Sequence, residues 1–228
     1  MSTRPRSALI ALTSHDRLGD TGRRTGAYLP EIAHPWREFR AAGFDVALVS
    51  VAGGTPPLDG VKPDDPVQQE FLDDPEMSAK LVHTLAPAEV DPLDHDVIFF
   101  AGGHGTMWDF PSDQGLAGLA RAIYERGGVV AAVCHGPAAL VELRLSNGRR
   151  LIDGKQVSAF TDSEETAVGL AEVVPFLLQT RLEENGAKHT GAPDFQPWVV
   201  TDERLVTGQN PASAAGVARA AVALVTTD

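Results

Sequence analysis

One cysteine in 228 residues leaves no partner for an intramolecular disulfide, which excludes a secreted disulfide scaffold. The same scarcity excludes cysteine-based zinc sites, and the seven histidines show no HExxH arrangement, so no metal site is expected. Long apolar runs are also missing. The stretch at 8–12, behind Arg4 and Arg6, is too short for a signal-sequence core or a membrane span. Basic charge is short as well. Lys and Arg number 19 against 31 Asp and Glu, for a formal net charge of −12. With no basic stripe to neutralise phosphates, nucleic acid and anionic membranes are excluded as partners. Neither a P-loop nor a complete GxGxxG fingerprint occurs, so no cofactor is expected. No repeat, low-complexity stretch or linker divides the chain. The expectation is one domain, 1–228, in a reducing, cytoplasmic setting.

What is present is a regular alternation of strand-like and helix-like segments, the pattern of a parallel α/β sheet. Strands are predicted at 8–13, 45–51, 96–100, 128–133 and 156–161. Helices are predicted at 30–43, 114–126, 138–143 and 175–185, with one or two short helices in 67–84. A hairpin is predicted from 198–201 and 205–208, followed by a small-residue helix at 211–225. The acidic surplus comes as dispersed pairs (Asp64-Asp65, Asp73-Asp74, Glu164-Glu165, Glu183-Glu184) and reads mostly as solvated surface.

The lone cysteine sits at a telling place. Cys134 ends the run Gly128-Val129-Val130-Ala131-Ala132-Val133, which shows no polar alternation and so reads as a buried parallel strand. His135, Gly136 and Pro137 follow, then a helix-like segment. A strand-to-helix turn lifts a nucleophile above the sheet, and helix N–H groups nearby favour a thiolate. A lowered thiol pKa is the expectation.

Three further clusters belong to the same rim, because ligands in open α/β sheets bind at the carboxyl ends of strands. Gly102-Gly103-His104-Gly105 ends its strand, and glycine backbone N–H groups there suit an oxyanion hole; His104 itself reads as a turn residue. Thr161-Asp162-Ser163-Glu164-Glu165 follows the next strand. A carboxylate there either orients His135 or enriches a helix N-terminus, and the residues alone leave both open. Glu31, after the first strand and a long loop, also reaches the rim or serves as an early helix acid.

Taken together and in order, five segments resemble the ThiJ/PfpI superfamily, the class I glutamine-amidotransferase-like fold. They are Tyr28-Leu29-Pro30-Glu31-Ile32-Ala33-His34-Pro35, Ala101-Gly102-Gly103-His104-Gly105, Ala132-Val133-Cys134-His135-Gly136-Pro137, Phe160-Thr161-Asp162-Ser163-Glu164-Glu165 and Leu205-Val206-Thr207-Gly208-Gln209-Asn210-Pro211-Ala212-Ser213. The branch they resemble contains glutathione-independent glyoxalases and stress chaperones. The resemblance implies a flavodoxin-like three-layer sandwich with a mainly parallel sheet and small cap insertions. It implies Cys134 as nucleophile, His135 as its partner and Glu165 as the acid, with Glu164 beside it as the competing position. It implies that Glu31 hydrogen-bonds the cysteine and that the backbone N–H groups of Gly103 and His135 form the oxyanion hole. The implied function is cofactor-free conversion of methylglyoxal or glyoxal to lactate or glycolate, with a small aldehyde as substrate and a homodimer admitted. A holdase chaperone, and a hydrolase or deglycase using the same site, are the alternatives.

Overall fold

A computed structural model describes residues 4–226; the ends of the expected domain, 1–3 and 227–228, lie outside the described residues. Six strands form the main sheet: β1 (Ser7–Leu12), β2 (Asp45–Ser50), β3 (Val97–Phe100), β4 (Val129–Val133), β5 (Val199–Asp202) and β6 (Leu205–Gly208). Their spatial order is β2-β1-β3-β4-β6-β5. All neighbours pair in parallel except β5, which turns back against β6 as the predicted hairpin. This is the flavodoxin-like order, with an antiparallel strand added at one edge.

The central strands β3 and β4 are apolar throughout, and β1 is so after Ser7, because both of their faces are covered. Ala8, Ile10, Phe99, Ala131 and Val133 meet Ile32, Trp36 and Phe39 of helix Pro30–Ala41, and Val217, Ala218 and Ala221 of helix Ala214–Thr226. Their neighbours Leu9, Ala11, Ile98, Phe100, Val130 and Ala132 point the other way. They meet Leu116, Leu119 and Ile123 of helix Gln114–Glu125 and Leu178 and Leu182 of helix Leu178–Glu184. Side chains alternating with a period of two thus build two cores on one sheet, giving the three-layer sandwich. Gly43, at φ +78°, ends the Pro30–Ala41 helix in a conformation that side chains with a Cβ avoid.

Two predicted elements differ. The strand expected at 156–161 is reduced to Gln156–Val157, which pairs with Lys188–His189 outside the main sheet. Beyond it the backbone bonds singly to the sheet rim: Ser158 N–H donates to Thr207 Oγ1 (2.8 Å) and Phe160 N–H to the Cys134 carbonyl (2.9 Å). The helix expected at 138–143 is a 3-10 segment, Gly136–Leu140. A second small ladder, Ala27–Tyr28 with Leu58–Asp59, caps the other side of the rim.

Candidate active site

The carboxyl ends of β3 and β4 create the site. After β4 the chain turns so sharply that Cys134 takes φ +59°. Its N–H donates to the Gly208 carbonyl at 2.9 Å, and its own carbonyl accepts from Phe160, so both peptide groups are pinned. Two residues on, a Cβ at Gly136 would lie 2.2 Å from the Phe100 carbonyl oxygen, so only glycine lets the chain leave the elbow along this path. The result holds the thiol at the floor of a cavity of about 370 Å³.

His135 comes next and is 1% exposed. Its Nδ1 is 3.3 Å from Cys134 Sγ and its Nε2 is 2.7 Å from Glu165 Oε2. The Phe160 ring packs on the imidazole at 4.6 Å between centroids. Burial, and then the neighbouring His104, push the His135 pKa down to about 4, against the pull of Glu165. The ring is therefore neutral at pH 7 and available to take a proton.

Glu165 stands in the first turn of helix Asp162–Ala167. Thr161 caps that helix reciprocally: its Oγ1 accepts from the Glu164 N–H, and the Glu164 carboxylate accepts from the Thr161 N–H. Glu164 Oε1 also accepts from Phe195 N–H (2.7 Å) and Asn210 Nδ2 (2.9 Å). The two adjacent acids are thus divided, Glu164 holding loops together and Glu165 facing the histidines. Both are buried, unlike the solvated surface expected of that pair. Burial acts to raise the Glu165 pKa, but hydrogen bonds from His104 and His135 outweigh it and hold the carboxyl at about 2.

Glu31, in the first turn of helix Pro30–Ala41, has no exposure to solvent. Its Oε2 accepts from the Gly102 N–H at 2.8 Å. The other oxygen, Oε1, has no partner of its own. Burial raises its pKa to about 8, opposed by the Gly102 N–H and the thiol. Burial likewise pushes the Cys134 thiol well up, and the nearby Glu31 adds to the rise. The lowered thiol pKa expected from a helix N-terminus is corrected here. The segment after Cys134 is one short 3-10 turn with little dipole, and loss of water around the sulfur dominates.

Gly103 takes φ +105° and packs so closely that a Cβ would sit 2.2 Å from the Gly26 carbonyl. Its N–H donates to no protein acceptor among the described residues. Thr106 Oγ1 bridges this loop to the elbow, with the carbonyls of Gly103 and His135 at 2.9 and 3.0 Å. Glu31, Gly103, Cys134 and His135 line the same cavity, and Glu165 stands behind His135.

His104, read from sequence as a turn residue, joins them. Its Nε2 lies 2.9 Å from Glu165 Oε1, and its ring is 4.1 Å from that of His135. The signal was present in Gly102-Gly103-His104-Gly105, a second imidazole on the rim. The ligating atoms of His104, His135 and Glu165 fall within 4.8 Å of one another, so these three are the group among the described residues with metal-holding geometry.

The DJ-1/PfpI family matches residues 25–224. Glutathione-independent glyoxalase HSP31 of Saccharomyces cerevisiae is 37% identical over 92% of this chain and 94% of its own length. Glyoxalase 3 of Candida albicans is 35% identical over 94% of this chain and 96% of its own. Among solved structures, Rapid Encystment Protein 24 KDa of Francisella tularensis superposes with a TM-score of 0.93 at 37% identity, covering 96% of this chain and 99% of that one. Glyoxalase III from Candida albicans gives 0.89 at 34%, covering 96% and 97%. With a cysteine elbow of this geometry and likeness along almost its whole length, the chain belongs to the DJ-1/PfpI family.

Proposed function

We propose that the protein is a glutathione-independent glyoxalase that converts methylglyoxal or glyoxal to lactate or glycolate. The observation that carries this reading is the line Cys134 Sγ, His135 Nδ1, His135 Nε2, Glu165 Oε2 on the wall of one cavity, with steps of 3.3 and 2.7 Å. Relatives 37% and 35% identical over more than nine-tenths of this chain carry glyoxalase names and support it.

Burial keeps the resting sulfur a thiol, so it loses its proton as the C–S bond forms. His135 Nδ1 takes that proton and returns it to the former carbonyl oxygen, leaving a hemithioacetal on Cys134. His135 then removes the hydrogen from the former aldehyde carbon and delivers it to the adjacent carbon through an enediol. Glu165, ionised behind the ring, stabilises the transient imidazolium. The product of this isomerisation is a thioester, which water hydrolyses to the hydroxy acid. The Gly103 and His135 N–H groups stabilise the negative oxygen at each addition. Glu31, protonated at neutral pH, holds and resupplies the sulfur's proton.

No step requires glutathione, because Cys134 supplies the thiol. The reading includes action without a cofactor, as one domain, in a reducing cytoplasmic setting that keeps Cys134 free. The glyoxalase names of the relatives support the enzyme over the holdase alternative, and two exposed apolar side chains, Val168 and Phe195, line the cavity itself. The test is methylglyoxal consumption without glutathione by wild type and Cys134→Ser. Turnover lost in the variant is expected. Equal turnover by both, or none by wild type, overturns the reading.

A further inference from the structure

Glu165 serves two imidazoles, one on each oxygen. Both rings use Nε2 for that bond, which leaves both Nδ1 atoms for other work. His135 Nδ1 is committed to the sulfur at 3.3 Å. His104 Nδ1 has no protein partner among the described residues and is not among the buried unpartnered atoms. The His104 side chain is 21% exposed and lines the cavity, against 1% for His135. It also follows Gly103, whose free N–H would hold the thioester oxygen.

We propose that His104 is a second catalytic base, which activates the water that releases the hydroxy acid from Cys134. This rests on the glyoxalase reading and deepens it. Hydrolysis of the thioester needs two proton movements at two places. The attacking water must lose a proton on the cavity side, and the buried sulfur must gain one as it leaves. His135 lies against the sulfur and has almost no access to arriving water. His104 faces the cavity, with the same carboxylate fixing its tautomer. As the water oxygen bonds the acyl carbon, its proton passes to His104 Nδ1. As the C–S bond breaks, the Glu31 carboxyl proton passes to the sulfur. One proton returned from the imidazolium to Glu31 through water resets the site, so atoms and charge balance.

His104→Gln is the discriminating variant. Its amide nitrogen stands where Nε2 stood and keeps the bond to Glu165, but it offers no base at the Nδ1 position. His104→Asn loses the Glu165 bond as well. Each is mixed with methylglyoxal in a rapid-quench experiment, with hydroxylamine to capture thioester as the hydroxamate. His104→Gln is expected to consume one equivalent per site at the wild-type rate. It should then turn over about 10²-fold or more slowly, with trapped thioester accumulating. Wild-type steady turnover in His104→Gln overturns the proposal, and so does damage confined to His104→Asn, which marks a positioning role. Loss of the first equivalent without trapped thioester also overturns it, since His104 would then act earlier. The wild type gives a check independent of variant folding: release must slow in D₂O, and no slowing overturns the proposal. A wild type that consumes no methylglyoxal removes both this inference and the reading beneath it.

Discussion

His135 Nε2 and Glu165 Oε2 stand 2.7 Å apart, between side chains that are 1% and 3% exposed. At that depth no water replaces either partner. Under the proposed mechanism, Glu165→Gln removes the charge that would stabilise the imidazolium and is expected to lower turnover by about 10²–10⁴-fold. Unchanged circular dichroism with lowered kcat is the expected pair of measurements. Unchanged kcat would take the proton-transfer role away from this pair.

Glu164→Gln is expected to behave in the opposite way. Every contact of that carboxylate is with a donor: Thr161 N–H and Oγ1, Phe195 N–H and Asn210 Nδ2. A Gln amide must turn an NH₂ group against some of them, leaving buried donors opposed. The expected cost is about 1–3 kcal/mol of stability, read from urea unfolding. Turnover per folded molecule should stay near wild type.

Iodoacetamide reactivity reports the thiol directly. Because burial and Glu31 both raise the Cys134 pKa, alkylation should accelerate with a midpoint above the free-cysteine value of about 8.5. Glu31→Gln removes the neighbouring charge and should bring the midpoint down. A wild-type midpoint at or below the free value would show that the sulfur is better solvated than its surroundings indicate.

Stability against pH should carry opposing signatures of the site. Glu165, held at about 2 against an ordinary 4.5, contributes stability that is present above pH 4.5 and lost as pH falls through 2. His135, pushed from 6.5 to about 4, is more readily protonated in the unfolded chain, so stability rises with pH between 4 and 6.5. Glu31 has the reverse sign. Raised from 4.5 to about 8, it contributes stability that is full below pH 4.5 and lost as pH rises through 8. Each group acts with a limiting slope of about 1.4 kcal/mol per pH unit. From these three groups, stability climbs to about pH 4.5, stays level to 6.5 while His135 and Glu31 offset one another, then falls to 8. In Glu31→Gln the climb should continue to 6.5 and the later fall should disappear. Urea midpoints across this range check it; the same late fall in Glu31→Gln would assign it to another group.

The elbow was legible because its causes are local. An unbroken apolar run from Val129 to Val133 must be a strand covered on both faces, and Cys-His-Gly-Pro immediately after it can only be a turn at its end. The choice of Glu165 over Glu164 was not local. It depends on where Thr161 caps its helix and on Phe195 and Asn210, which come from distant segments to claim Glu164. The strand expected at 156–161 failed for a related reason. Its ladder with Lys188–His189 ends at Val157, and beyond that its residues bond one by one to the rim, Phe160 to the Cys134 carbonyl. The thiol pKa is not legible in the sequence, where the helix-like segment after Cys134 suggests a dipole. The controlling fact is loss of water, which only the assembled cavity creates.

Cys134 holds φ at +59°, a region that disfavours a residue with a Cβ by roughly 1–2 kcal/mol and that glycine enters freely. The backbone at this point would therefore sit more easily with the one residue that has no side chain. Cysteine at this angle sets its sulfur against the preference of its own main chain, and the hydrogen bonds to Gly208 and Phe160 on either side hold that conformation at the end of β4.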